Sequence, residues 1–153
     1  MVEKLNDNQV LKSLELDHLL NEQGYVVVPF LDKTAIEELK QFFFNNHSEP
    51  IPGFYATAHS SDIPFRNKMN DKIKSVFQSS IDSYFINCEA LGGSFVVKTK
   101  SQTERLHPHQ DWNIVDENKY RSFNIWVPLV DLSEKNGAIC VLPESHLWGL
   151  NYR

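Results

Sequence analysis

The chain has 153 residues, a formal net charge of −5, 41% hydrophobic and 12% aromatic residues, which suits a single domain spanning 1–153. The acidic balance argues against a nucleic-acid-binding protein, because that class carries a basic patch. The polar N-terminus predicts no secretory signal, and no apolar run approaches a membrane span. We therefore expect a soluble, cytoplasmic protein in which Cys88 and Cys140 are buried, unpaired thiols.

The chain opens with a predicted helix and a predicted strand. Apolar residues recur at helical spacing from Val10 to Leu20, and Gly24 stands where that helix should end. The β-branched run at 25–30 then predicts a short strand, in which Pro29 indicates an edge position.

Two further helices are predicted in the first half. The second begins near residue 32, where either Asp32 or the pair Thr34 and Glu37 could cap it. The third has the clearest pattern, with apolar residues at helical spacing from Met69 to Phe85.

An irregular stretch from Pro50 to Pro64 separates these two helices. It mixes aromatic and polar residues around His59, as a functional loop does. A plain surface loop with a solvated His59 fits the same pattern, so both interpretations stay open.

The second half changes to strand periodicity. Strands are predicted at the following positions: 94–100, 105–112, 123–130 and, after the Asn-Gly turn at 136–137, 138–142. Helices followed by strands, without strand–helix alternation, predict an α+β fold with antiparallel strands.

The pair His109 and Asp111 is the most informative motif. Residues two apart on a strand point to the same side, so this imidazole and this carboxylate can face one point in space. They are two of the three ligands in the two-His-one-carboxylate triad that holds non-haem Fe(II). The tripeptide alone often arises by chance, but here it lies on a predicted strand and Trp112 follows it.

A second set of motifs makes the interpretation of His109 and Asp111 as metal ligands more specific. The chain has a Trp-Val-Pro-Leu run at 126–129, an Asn-Gly turn at 136–137 and a Pro-x-Ser-His ending at 143–146. Together with the box at 109–112 and the stretch 21–28, these resemble the phytanoyl-CoA dioxygenase (PhyH-like) family of Fe(II)/2-oxoglutarate-dependent oxygenases.

The resemblance implies a double-stranded β-helix, a jelly-roll or cupin-like core, with the N-terminal helices packed outside it. It implies that His109 and Asp111 bind Fe(II). Oxidative decarboxylation of 2-oxoglutarate by molecular oxygen would then be coupled to C–H hydroxylation of a small organic substrate, which the sequence does not identify. Lys98 and Trp126 fall where relatives contribute to the cosubstrate pocket. From the residues alone, a solvated lysine and a core tryptophan are equally good interpretations.

For other residues near the motif, the predicted role is either undecided or structural. His107 could face the same way as the pair, although Pro108 can kink the strand and leave His107 exposed. The resemblance implies a structural role for His146. Glu144 stands where relatives usually have glycine, so it is strained if that turn needs a positive φ. Cys140 is expected to be a small buried hydrophobe.

The family's second iron histidine and its 2-oxoglutarate-binding arginine follow the Pro-x-Ser-His element, where this sequence has only residues 147–153. We therefore expect a chain that lacks the closing strands and has reduced or no activity alone. A non-catalytic interaction module, completed by a second copy or another chain across an exposed sheet edge, is one alternative. The other is a cupin-like protein that binds another divalent metal through four side chains: His107, His109, Asp111 and His146.

Overall fold

The described part of the chain combines four helices with one small antiparallel sheet. The computed structural model describes residues 9–47, 51, 53–99, 107–111, 115–116, 119–133 and 136–148. The helices are α1 (Leu14–Gln23), α2 (Lys33–Asn46), α3 (Ile63–Tyr84) and α4 (Ser145–Trp148), with a 3-10 helix at Thr57–His59. The strands are β1 (Phe54–Ala56) and β2 (Val96–Lys98). None of these described helices is long and apolar enough to span a membrane. The mixture confirms the α+β class, although two strands do not make the predicted double-stranded β-helix.

Local capping explains where the helices begin and end. α1 ends at Gly24, whose φ of 82° is left-handed and whose N–H donates to the Leu20 carbonyl at 2.9 Å. Glycine adopts that conformation without the steric cost of a Cβ. α2 begins after Asp32, whose Oδ1 accepts a hydrogen bond from the Ala35 N–H at 2.8 Å. The structure thus selects Asp32 over Thr34 as the cap, and it confirms the three predicted helices.

The core lies between α2, α3 and the sheet. Five buried apolar side chains form it: Leu39 and Phe43 of α2, Met69 and Ile73 of α3, and Phe95 before β2. Met69 is 0% exposed and Leu39 is 1% exposed, so both are fully removed from water. Burial of one such side chain contributes about 1.5–3 kcal/mol relative to its exposure. The α2–α3 pair is therefore the main source of stability in the described fold.

A buried hydroxyl joins the sheet to this core. β1 and β2 are antiparallel, with Phe54 opposite Lys98 at one end. Directly after β1, the Oγ1 atom of the buried Thr57 accepts from the Phe95 N–H at 3.0 Å. The Thr57 N–H donates in return to the Phe95 carbonyl at 2.9 Å. Because a buried polar group without a partner costs free energy, this reciprocal pair fixes the ends of both strands.

The predicted strand at 25–30 is wrong. The structure has no strand there, and side chains of α3 bond to the last two carbonyls of the run. The Tyr84 hydroxyl donates to the Pro29 carbonyl at 3.1 Å, and the Ser80 hydroxyl donates to the Phe30 carbonyl. Pro29 also has no N–H to offer a neighbouring strand. The β-branched pattern marks a segment attached to α3 rather than a sheet edge.

The strand predictions of the second half are mostly wrong within the described residues. The structure forms β2 inside the predicted 94–100 strand. It assigns no strand at the described residues of three other predictions: 107–111, 123–130 and 138–142. Residues 105, 106 and 112 of the second prediction lie outside the described residues. The 123–130 run still alternates as predicted, because Ile125, Val127 and Leu129 are partly buried while the residues between them are exposed. Periodicity identified the inward face, but a strand also needs a hydrogen-bonded partner.

The second half also exposes much apolar surface. Its exposed large side chains include Tyr120, Trp126, Val130, Ile139, Leu142 and Trp148. Among the described residues, β1 and β2 pair with each other in a two-stranded sheet. Completion of the fold by a second copy or another chain across a sheet edge stays a prediction, which sedimentation velocity of the purified chain can test.

The cysteines are unpaired as predicted, but the prediction that they are buried is wrong. Cys88 and Cys140 are both exposed. Each lies in a connecting segment outside the α2–α3 core, so neither serves as a small buried hydrophobe. Partial desolvation nevertheless raises the pKa of the Cys88 thiol above its ordinary value. Its thiolate, the reactive form, is therefore scarce at neutral pH.

A buried carboxylate attaches the N-terminal segment to α1. Asp17 is 7% exposed, and its Oδ1 accepts from the Val10 and Leu11 N–H groups at 2.8 and 2.9 Å. We expect Asp17→Ala to lower the free energy of unfolding by about 2–3 kcal/mol, because it leaves the buried Leu11 N–H and the partly buried Val10 N–H without their acceptor. Urea denaturation measures this loss. Glu15→Ala, an exposed carboxylate on the same helix, should cost less than about 0.5 kcal/mol. Equal losses in the two variants would contradict the account.

Candidate metal centre

The His109 ring is oriented by the main chain two residues before it. Its Nδ1 atom lies 2.7 Å from the His107 carbonyl oxygen. A carbonyl can only accept, so Nδ1 carries a proton, and in the neutral form of the ring Nε2 then has the lone pair. A neutral imidazole with a free Nε2 is the form that binds metal ions, and a hydrogen bond from the other ring nitrogen commonly fixes it.

The Asp111 carboxylate faces that free nitrogen. Its Oδ1 lies 3.4 Å from His109 Nε2, while its Oδ2 accepts a hydrogen bond from Asn124 Nδ2 at 2.5 Å. One oxygen is therefore committed to a neighbouring side chain and the other points toward His109. The predicted same-side arrangement of the two residues is present, although no strand is assigned at 107–111.

The distance between His109 Nε2 and Asp111 Oδ1 is suited to the binding of one metal cation by both atoms. First-row divalent ions hold nitrogen and oxygen donors at about 2.0–2.2 Å, which places two adjacent donors roughly 3 Å apart. The 3.4 Å between His109 Nε2 and Asp111 Oδ1 is close to that value. Both side chains are open to solvent, at 49% and 61% exposure, so further ligands could reach the ion. One imidazole with one carboxylate makes up two of the three ligands in the two-His-one-carboxylate triad.

The described residues do not supply a third ligand beside this pair. No group of three or more His, Cys, Asp or Glu side chains comes together anywhere in the described part of the chain. His107 and His146, both described, are therefore not gathered with His109 and Asp111, and the interpretation of a four-residue cupin-like site is wrong. His107 contributes its main-chain carbonyl rather than its exposed ring.

The two predicted cosubstrate residues, Lys98 and Trp126, are both exposed. Lys98 is exposed at the end of β2, and its Cδ lies 3.9 Å from where a Cβ on Gly137 would be, so the Asn-Gly turn lies against its aliphatic stem. Trp126 is 46% exposed, which does not fit a core tryptophan. No described hydrogen bond or ion pair joins either residue to His109 or Asp111, and their cosubstrate roles stay predictions.

Asn124 is the site residue that sequence reasoning missed. It lies in the alternating run 123–130, on the exposed side that also carries Trp126. Trp126 is two residues further along, and two residues of an extended chain span roughly 7 Å. The only sequence signal for Asn124 was that it is a polar residue on the outward face of a predicted strand. Such residues are too common to identify a site.

Comparison with known proteins agrees with these motifs. A model of the phytanoyl-CoA dioxygenase (PhyH) family matches residues 20–153. The chain belongs to the phytanoyl-CoA dioxygenase family. No curated protein and no solved structure gives a significant match. The matched residues contain the candidate metal centre, so PhyH membership supports dioxygenase chemistry at the level of the family.

In this PhyH-family chain the Pro-x-Ser-His element attaches to the end of α1. His146 Nε2 donates to the Asn21 carbonyl at 3.0 Å, and the Glu144 N–H donates to the Gln23 carbonyl at 2.9 Å. The ring lies so close to Gly24 that a Cβ there would be 2.5 Å from its Nδ1. The structure thus gives His146 a packing role between α1 and α4, which agrees with the role that the resemblance implied.

Glu144, in the turn before α4 of this PhyH-family chain, has a positive φ, which is a backbone conformation that glycine adopts most easily. Glu144 has a φ of 62°, a left-handed conformation that costs most side chains about 1–2 kcal/mol. Glu144→Gly should therefore raise the free energy of unfolding by about 1 kcal/mol, after the greater backbone entropy of glycine is subtracted. Thermal denaturation measures the gain. Glu144→Ala keeps the Cβ and should give no gain; an equal gain in both variants would exclude backbone strain as the cause.

His59 is an exposed residue for which no contact with the candidate metal centre is described. It is exposed at the end of the 3-10 helix that follows β1, and no described hydrogen bond or ion pair links it to the His109–Asp111 pair. The surface-loop interpretation of this residue fits that position. The predicted irregular stretch itself is partly wrong, because it contains β1 and the start of α3.

Proposed function

We propose that this protein is an Fe(II)- and 2-oxoglutarate-dependent oxygenase that hydroxylates a C–H bond of a small organic substrate. One observation carries the proposal: His109 Nε2, the ring nitrogen that is not bonded to the His107 carbonyl, lies 3.4 Å from Asp111 Oδ1. Membership of the PhyH family supports the same class of chemistry. The unpaired cysteines support a reducing compartment such as the cytoplasm.

His109 and Asp111 would hold the iron and leave its other positions to a further ligand, the cosubstrate and oxygen. The bound iron would supply oxygen activation, in which 2-oxoglutarate is oxidised to succinate and CO2 and the substrate gains one oxygen atom. The Asp111 carboxylate neutralises part of the ion's charge, and the imidazole of His109 adds no charge of its own. The solvent exposure of both side chains gives small molecules access to this point.

Lys98 and Trp126 are part of the proposal as cosubstrate contacts. A lysine ammonium can pair with a carboxylate of 2-oxoglutarate, and an indole ring can cover the apolar stem of that molecule. Support for Trp126 comes from its place on the same exposed side as Asn124, the residue bonded to Asp111. The double-stranded β-helix is proposed as well, and the alternating burial of Ile125, Val127 and Leu129 supports it.

The test is cosubstrate turnover. The purified protein is incubated with Fe(II), 2-oxoglutarate, oxygen and ascorbate, which supplies the two electrons that the missing substrate would otherwise give, and succinate is quantified with and without a chelator. We expect succinate formation that requires iron and falls at least about 100-fold in Asp111→Ala, while Asp116→Ala, an exposed carboxylate outside the site, keeps it. Iron-dependent turnover that survives in Asp111→Ala would overturn the proposal, and so would an unaltered protein that neither binds Fe(II) nor forms succinate.

A further inference from the structure

We infer that Asn124 is a positioning residue that holds Asp111 in the orientation needed to bind the metal through one oxygen; this inference rests on the proposed function. Asn124 Nδ2 donates to Asp111 Oδ2 at 2.5 Å across a separation of 13 residues. That leaves Oδ1 as the carboxylate oxygen beside His109 Nε2.

A carboxylate on an exposed side chain needs such a partner to keep one orientation. Asp111 is 61% exposed, and nothing in its own rotamers distinguishes the oxygen that faces His109 from the one that does not. A donor on Oδ2 removes that freedom and disfavours binding of the ion through both oxygens. Asn124 therefore does for Asp111 what the His107 carbonyl does for His109. Each ligand is oriented from its far side by a hydrogen bond.

The surroundings of Asn124 make this role separable from a structural one. Its neighbour Ile125 is partly buried, but Asn124 itself is exposed. Exposed side chains away from caps and turns contribute little to stability, so its loss should not disturb the fold. Loss of a residue that orients a metal ligand typically costs about 10- to 100-fold in metal affinity. The two roles therefore predict different results for the same substitution.

Mn(II) titration followed by electron paramagnetic resonance tests the inference, because Mn(II) resists oxidation by air. We expect Asn124→Ala to weaken Mn(II) binding about tenfold or more without lowering the metal-free melting temperature. Asn124→Gln, which keeps an amide donor on a longer stem, should recover part of the affinity. The control is Asn136→Ala, because Asn136 Nδ2 bonds to the Asp131 carbonyl at 2.6 Å within a turn. That variant should lower the melting temperature and leave Mn(II) affinity within about twofold.

The outcomes separate this inference from the proposed function. If the unaltered protein binds Mn(II) no better than Asp111→Ala, the proposed function is wrong and the inference falls with it. If Asp111→Ala loses binding but Asn124→Ala does not, the function stands and the inference is overturned. A fall in metal-free stability that matches the loss of affinity in Asn124→Ala would also overturn it, since Asn124 would then be structural.

Discussion

His109→Ala is expected to lower the affinity for Fe(II) at least about 100-fold, measured by anaerobic titration. The substitution removes the nitrogen whose lone pair is kept free by the hydrogen bond to the His107 carbonyl. Asp111 alone would then hold the ion, and a single exposed carboxylate binds iron weakly. Together with Asp111→Ala, this is the largest functional effect that the structure predicts for one side chain.

A matched control for this variant lies two residues away. His107→Ala removes an equally accessible imidazole but keeps the carbonyl that orients His109. We expect its Fe(II) affinity to stay within about threefold of the unaltered protein, well below the change expected on removing a ligand. A loss in His107→Ala as large as that in His109→Ala would mean that the His107 ring is a ligand, which contradicts the geometry of the pair.

Leu39→Ala is expected to have the largest effect on stability, a loss of about 3 kcal/mol in the free energy of unfolding. Leu39 is 1% exposed and packs in the cluster that joins α2 to α3. The substitution removes apolar contacts and leaves a cavity, because a packed core relaxes only partly around a deletion.

The control is on the same helix. Phe44 is 68% exposed, and its ring contacts Phe43 with centroids 5.6 Å apart. Phe44→Ala should therefore cost less than about 1 kcal/mol, although it deletes a larger side chain. Urea denaturation compares the two. A greater loss in Phe44→Ala would mean that the α2 face assigned to the core is the wrong one.

The helices could be predicted because their signals are local. Apolar residues such as Met69 and Ile73 recur at the spacing of one helical face, and Gly24 and Asp32 lie where the backbone needs those residue types. Each of these signals depends on neighbours within a few positions. The α+β class was predicted from these helices together with the strand periodicity of the second half.

Strands could not be predicted as securely, because a strand requires a partner that its own sequence does not specify. The run at 25–30 had the right residue types, yet hydroxyls of Ser80 and Tyr84 bond to its last carbonyls. The run at 123–130 alternates in burial but has no assigned ladder. β1, which lies inside a stretch predicted as irregular, forms because Thr57 and Phe95 join it to the core.

Half of the candidate site could be predicted in the same local way. The spacing of His109 and Asp111 alone placed both on one side, and the distance between them agrees. Asn124 could not be found, because its contact with Asp111 depends on how two segments 13 residues apart meet. The strain at Glu144 was expected only through comparison with a family that prefers glycine there, and its φ of 62° confirms the expectation.

The most direct test of the central claim is an anaerobic titration of the Fe(II)-loaded protein with 2-oxoglutarate, followed by visible absorption. A 2-oxo acid that chelates ferrous iron gives a charge-transfer band, which free iron in water at the same concentration does not give. We predict a saturable band that reaches one iron per chain, persists in His107→Ala and disappears in the His109→Ala, Asp111→Ala double variant. A band of equal intensity in that double variant, or its absence from the unaltered protein, would contradict the account.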